Sequence, residues 1–173
     1  MLKKLNLNDF DEVYKLLQEN FNSNEYGTYD KQKELFTDSL YTPYGIKKNN
    51  KIIAFISIWS LSNFSFIEHF VVDKQYRKKG LGTKILNEAL KLTNRLTCLE
   101  VELPVNKLSL KRIEFYKRNG FYLNEYNYKQ PPMAINKQPI DLLIMTFPKA
   151  IDEKELLSLI NELASQLPFE LGK

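Results

Sequence analysis

Two hydrophobic periods alternate along this chain, one of about two residues and one of about 3.6, and their order is the first clue to its architecture. Residues 2–7 alternate as a short strand, after which Asn8 or Asp9 is placed to cap a helix carrying Phe10, Val13, Leu16 and Leu17. A second helix is predicted after Asp30, with Leu35, Phe36 and Leu40, ending before Pro43. Residues 44–47, the turn pair Asn49-Asn50 and residues 51–61 read as a β-hairpin, and Ser62-Asn63 turns the chain into a further strand, residues 64–72. A helix to about Thr93, a strand over 97–103, a helix over 109–119 closed by Gly120, and a strand from Phe121 follow. Lys129-Gln130-Pro131-Pro132-Met133 reads as a loop, because proline brings no N–H to a ladder. Residues 141–147 form the last predicted strand, and 152–167 a helix with Leu156, Leu157, Ile160 and Leu163 on one face. This order predicts an α/β fold with a mixed sheet and helices on both faces.

The chain has 173 residues, room for one substantial core, and we expect a single domain over 1–173 with its core in about 2–147. No apolar run approaches the ~20 residues of a membrane helix, and the N-terminus shows no secretory pattern, so the expected compartment is the cytoplasm. The single cysteine, Cys98, sits in an apolar strand pattern and reads as a small core residue; with one cysteine and one histidine, no metal site is expected. Lysine and arginine number 25 against 21 acids, and this net charge of +4 favours anionic ligands without the basic stripe that nucleic acid requires.

The chemistry concentrates in residues 70–83, Phe-Val-Val-Asp-Lys-Gln-Tyr-Arg-Lys-Lys-Gly-Leu-Gly-Thr. A strand runs through a basic turn with two glycines directly into a helical pattern, which presents bare N–H groups at a helix N-terminus. Gly80 and Gly82 carry no side chain where an anion approaches, and Arg77, Lys78 and Lys79 add charge. The spacing fits neither Gly-x-x-x-x-Gly-Lys-Ser/Thr nor Gly-x-Gly-x-x-Gly.

Arg77-Lys78-Lys79-Gly80-Leu81-Gly82 does match Arg/Gln-x-x-Gly-x-Gly, and with the strand over 66–73 and the segment Arg112 to Phe121 the sequence resembles the GNAT superfamily of acyl-CoA-dependent N-acyltransferases. The resemblance implies the GNAT-type fold, a central, mostly antiparallel sheet splayed between strands 4 and 5. It implies acetyl-CoA as co-substrate, held by the main chain of Phe70, Val71 and Val72 along its pantetheine arm and by Arg77, Lys78, Lys79, Gly80, Leu81, Gly82 and Thr83 at its diphosphate. Lys78 departs from the pattern, since many members have glycine there.

By the same resemblance Tyr116 is the candidate donor to the departing sulfur, and its phenol suits protonation of a thiolate. The alternative is an aromatic core position beside Phe115 and Phe121. Alternation puts Glu68, Phe70 and Val72 on one strand face and His69 and Val71 on the other. The resemblance of Ile67-Glu68-His69-Phe70 to a GNAT subgroup implies Glu68 as a candidate general base, and Glu100 matches a second position for one. Either carboxylate also reads as a solvent-facing or ion-paired strand residue, Glu100 more readily than Glu68, and His69 as a structural histidine. Arg112 is a phosphate contact or a surface residue, and Tyr122, Tyr126, Tyr128 and 131–133 border an acceptor cleft or pack an edge strand. The resulting expectation is direct acetyl transfer to a primary amine, by a monomer or homodimer. Its rivals are a non-catalytic acyl-CoA-binding regulatory module and a nucleic-acid binder.

Overall fold

Asn49 and Asn50 lie at φ +51° and +60°, the left-handed pair that a two-residue hairpin turn demands, and they join β2 (Tyr41–Lys48) to β3 (Lys51–Ser60) in antiparallel register. In this computed structural model, residues 1–130 and 138–167 are described; of the expected loop, Pro131, Pro132 and Met133 lie outside the described residues, while Lys129 and Gln130 are not loop but strand, paired with Asp141 and Ile140. The remaining elements are β1 (Lys3–Lys4), α1 (Phe10–Asn20), α2 (Tyr29–Glu34), β4 (Ser65–Val72), α3 (Leu81–Thr93), β5 (Thr97–Glu102), α4 (Lys107–Arg118), β6 (Tyr122–Gln130), β7 (Ile140–Phe147) and α5 (Glu153–Gln166). Hydrogen-bonded strands follow the order β1-β2-β3-β4-β5-β7-β6, a mixed sheet in which β4 and β5 are parallel. No helix among the described residues is long and apolar enough to cross a membrane.

The chain divides into two units, Met1–Ser60 with Ile67–Asn94, and Leu61–Phe66 with Arg95–Lys173. In the first, α1 packs Val13, Leu16 and Leu17 against Phe55 and Ile52 of β3 and Val71 of β4, with Leu5 and Tyr26 completing the cluster. The fully buried Ile85, Leu86 and Ala89 anchor α3 by one face.

In the second unit β7 lies between β5 and β6, antiparallel to both, with Glu100 opposite Ile144. α4 packs on β5 and β6. Asn124 is buried and fully used: its amide donates to Ile144 O at 3.1 Å and Thr146 Oγ1 at 3.0 Å, and its Oδ1 accepts from Ile151 N at 3.0 Å. Glu162 of α5 accepts from Asn63 N at 2.9 Å and Asn63 Nδ2 at 2.7 Å, which fastens the last helix to the turn before β4.

Several local expectations need correction. The first strand is limited to Lys3–Lys4, because Asn6 starts a 3-10 turn, Leu7–Asp9, by accepting from Asn8 N while Asp9 reaches back to Asn6 N. The second helix stops at Glu34 and tightens into a 3-10 turn, Leu35–Thr37, so Leu40 lies beyond it. On α5 the inward residues are Leu156, Leu159 and Leu163, while Leu157 is exposed, since five closely spaced apolar residues leave the buried stripe undetermined by period alone.

Candidate active site

The strand-to-helix turn is built by sequential caps in the first unit. After Val72, Asp73 accepts from Gln75 N at 2.8 Å and donates its own N–H to Ile53 O at 2.9 Å, fixing a 3-10 turn, Lys74–Tyr76. Arg77 then folds back, with Nε donating to Val72 O at 2.7 Å and a terminal nitrogen to Asn20 Oδ1 at 2.8 Å. Its guanidinium therefore braces the turn against the end of α1, and the Val72 carbonyl is occupied. Lys78 and Gly80 take φ +63° and +75°, two left-handed residues that swing the chain into α3. Gly80 is the N-cap and brings no capping side chain, so the first N–H groups of the helix, on Leu81, Gly82 and Thr83, have no acceptor within it. A Cβ placed on Gly80 would meet nothing within 4 Å, so its main chain fronts open space. Lys78, Lys79 and Thr83, neighbours of Gly80 along the chain, are exposed. Unhindered N–H groups, a positive dipole end and two lysines suit a phosphate or diphosphate.

Upstream on β4, the predicted alternation holds: His69 and Val71 are buried, and Glu68, Phe70 and Val72 are less so. The carboxylate of Glu68 is nonetheless withdrawn from solvent, with 5% of its side chain exposed against 2% for His69, and Oε2 stands 3.3 Å from His69 Nδ1. The ring's Nε2 lies 2.8 Å from Glu25 O, and the His69 N–H donates to Ser57 Oγ at 3.1 Å. Tyr41, Trp59 and Gln32 add further buried polar groups in this unit, and Gln32 Oε1 accepts from Gly27 N at 3.1 Å. Burial, and then the charge of Glu68, push the Tyr41 phenol far above its ordinary pKa. Ser57 and Gln32 beside it partly offset that rise, though the hydroxyl closes no hydrogen bond of normal geometry.

The second unit holds the other two candidates. Tyr116 is buried on α4, with its ring 5.2 Å from Phe115 and 5.6 Å from Phe121. Burial raises its pKa to about 12, opposed by the charge of Arg112, so the phenol keeps its proton throughout the neutral range. Arg112 pairs with Glu102 at 3.3 Å. Glu100 is tied to β6: Oε1 accepts from Tyr128 OH at 2.6 Å and Oε2 from the Gln130 amide. Burial pushes the Cys98 thiol up, consistent with a core residue.

The sequence profile described as the acetyltransferase (GNAT) family matches residues 10–121, almost two thirds of the chain and the whole stretch from α1 to the end of α4. The chain belongs to the acetyltransferase (GNAT) family. The curated Bacillus subtilis (strain 168) protein YjbC is 31% identical over 104 residues, 58% of this chain and 53% of its own, so the chain spans about half the length of that relative. Among solved structures, a GNAT-family protein from Bacteroides thetaiotaomicron aligns over 96% of this chain and 97% of its own, with a TM-score of 0.86 and 26% identity. Two more distant structures share the fold. The ribosomal-protein-S18-alanine N-acetyltransferase of Escherichia coli has a TM-score of 0.66 at 20% identity, covering 89% of this chain and 96% of its own. NAA60 of Arabidopsis thaliana, solved with acetyl-CoA, has a TM-score of 0.67 at 15% identity, covering 85% and 97%.

In this GNAT chain the first unit therefore gathers Glu68, the β4 main chain and the 77–83 turn, while Glu100 and Tyr116 belong to the second. Sequence reasoning passed over Gln32, Tyr41, Ser57 and Trp59, because only the tertiary fold brings them to the Glu68 strand. It also passed over Asn20 as the partner of Arg77.

Proposed function

We propose that the chain is a cytoplasmic N-acetyltransferase that passes an acetyl group from acetyl-CoA directly to a primary amine. The observation that carries this reading is the turn at 77–83, where two left-handed residues, an N-cap without a side chain and open space over Gly80 suit the coenzyme's diphosphate. Family membership and the acetyl-CoA bound to a neighbour of the same fold support the choice of donor.

In this mechanism Glu68 takes a proton from the substrate ammonium, and the freed nitrogen lone pair attacks the thioester carbonyl. The new C–N bond forms as the C–S bond breaks, and the electron pair of that bond leaves on sulfur. Tyr116, protonated at neutral pH, gives its proton to the thiolate; the acylated nitrogen gives up its second proton to solvent to become the neutral amide, and Tyr116 recovers a proton from solvent. Glu100, bound by two donors of β6, contributes negative charge that attracts a cationic acceptor. Phe70 and Val71 offer main-chain groups to the pantetheine arm, while the Val72 carbonyl is already held by Arg77.

The test is thiol release from acetyl-CoA over a panel of amines: diamines, amino acids, peptide N-termini and lysine peptides. The expected result is amine-dependent release with one acetylated product per thiol. Binding of acetyl-CoA without turnover on any amine would overturn the enzymatic reading in favour of a binding module.

A further inference from the structure

Two facing atoms in the first unit impose a proton count. Among the described residues, His69 Nδ1 and Glu68 Oε2 are buried and 3.3 Å apart, and neither closes a hydrogen bond of normal geometry, with the other or with any third group. The other ring nitrogen, Nε2, faces Glu25 O at 2.8 Å. A carbonyl oxygen only accepts, so Nε2 carries hydrogen. With that nitrogen protonated, a neutral ring turns the Nδ1 lone pair toward a carboxylate oxygen, two acceptors face to face out of water. One more proton between them removes the conflict, as imidazolium with carboxylate or imidazole with carboxylic acid, and both forms are neutral overall.

The surroundings favour that count. The groups packed on the ring are Phe21, 4.9 Å away between α1 and α2, and Phe55 on β3 at 6.5 Å, both uncharged. Ser57 of β3 receives the His69 N–H, and Tyr41 of β2, protonated, stands by Glu68. Glu25 acts through its carbonyl and its charge, its carboxylate accepting from Asn22 N at 2.7 Å. Burial drives the imidazole toward neutrality, but Glu68 and Glu25 outweigh it and its pKa rises above the ordinary histidine value.

We propose that Glu68 and His69 accept the amine proton as one unit, the proton entering at the carboxylate and shared with Nδ1, while the Glu25 carbonyl holds the ring in the tautomer this requires. This rests on the reading of Glu68 as the base. A carboxylate alone is a weak acceptor for an ammonium proton; the imidazole nitrogen 3.3 Å away offers the incoming proton a second site. The competent form is the pair without its shared proton. An ammonium N–H bond breaks, its proton joins the pair, and the nitrogen keeps the electrons for attack on the thioester; the proton returns to solvent after the acetylated product leaves. His69 touches no substrate and is a positioning residue.

His69 is the chain's single histidine, so its ring nitrogens are read without ambiguity by long-range 15N–1H NMR. In the wild type Nε2 is expected to stay protonated across the titration while Nδ1 titrates above the ordinary histidine value of about 6.5. In E68Q the Nδ1 titration is expected to fall, since burial then acts without its main opponent. For activity, E68Q should lower kcat by roughly 100-fold or more and H69Q by roughly tenfold with KM for the amine little changed. H69Q should also move the acid limb of the kcat–pH profile toward the carboxylate range. Titration at Nε2 in the wild type, or an Nδ1 titration that E68Q leaves in place, would overturn the inference even with E68Q inactive. Full activity of E68Q with intact coupling would instead overturn the reading of Glu68 as base.

Discussion

Replacing Lys78 with glycine should raise stability while weakening coenzyme binding, two effects of opposite sign from one side chain. Lys78 sits at φ +63°, where an L side chain costs about 1–2 kcal/mol. Glycine removes that cost but returns roughly 0.5–1 kcal/mol through the greater freedom of the unfolded chain. The net gain is roughly 0.5–1 kcal/mol, which for a chain of 173 residues raises Tm by roughly 1–4 °C. K78Q keeps the backbone strain and removes only the charge, so its Tm should match the wild type. Both variants lose one exposed lysine of the proposed diphosphate cradle, worth about 0.3–1 kcal/mol, so each should bind CoA roughly two- to fivefold more weakly at low salt, converging with the wild type as salt rises. Differential scanning calorimetry and CoA titrations at two ionic strengths read the two effects separately. A K78G protein that melts no higher than K78Q would refute the assignment of strain to this residue.

Three further perturbations test other parts of the structure. E162A leaves both donors of Asn63 without an acceptor at a site only 8% exposed, and should cost about 2–3 kcal/mol in chemical denaturation, with E162Q in between; an unchanged midpoint would contradict the anchoring of α5. Y116F keeps the ring packing and should lower kcat roughly 10- to 100-fold with Tm nearly unchanged. The donor form of Tyr116 is present below its pKa of about 12 and lost only as pH rises through it, so kcat in the wild type should show no loss from this group near pH ~10, where an ordinary phenol titrates. Y128F removes one of the two donors to Glu100 and should destabilise by about 1–2 kcal/mol while raising KM for cationic amines, measured by denaturation and initial rates.

The parts of this molecule legible in the sequence are those governed by local rules. Asn49-Asn50 states a hairpin because consecutive left-handed residues are tolerated by few side chains, and Gly80 followed by an apolar helical period states a strand-to-helix turn. Alternation along β4 matches the burial of its residues, with His69 and Val71 buried and Glu68, Phe70 and Val72 less so. Alternation could not show that the Glu68 side chain bends back to its neighbour, because that depends on Glu25, Ser57 and Tyr41 arriving from three other segments. Lys78 was recognisable as a departure from the family pattern, and its positive φ supplies the physical reason glycine is common there. The capping boxes at Asn6 and Asn106 were present as short polar signals, Asn-x-x-Asp and Asn-x-x-Ser, and each starts its turn or helix a few residues earlier than apolar periodicity alone suggests. The buried face of α5 was misjudged because its leucines and isoleucine surround much of the helix, and only packing selects Leu159 over Leu157.

The most direct test of the central claim is isothermal calorimetry with CoA and, in parallel, pantetheine, which keeps the thiol arm and lacks the diphosphate. The cradle at 77–83 predicts saturable one-to-one binding of CoA that weakens with salt, and binding of pantetheine weaker by orders of magnitude. Equal affinity for the two, or no heat with CoA, would contradict it.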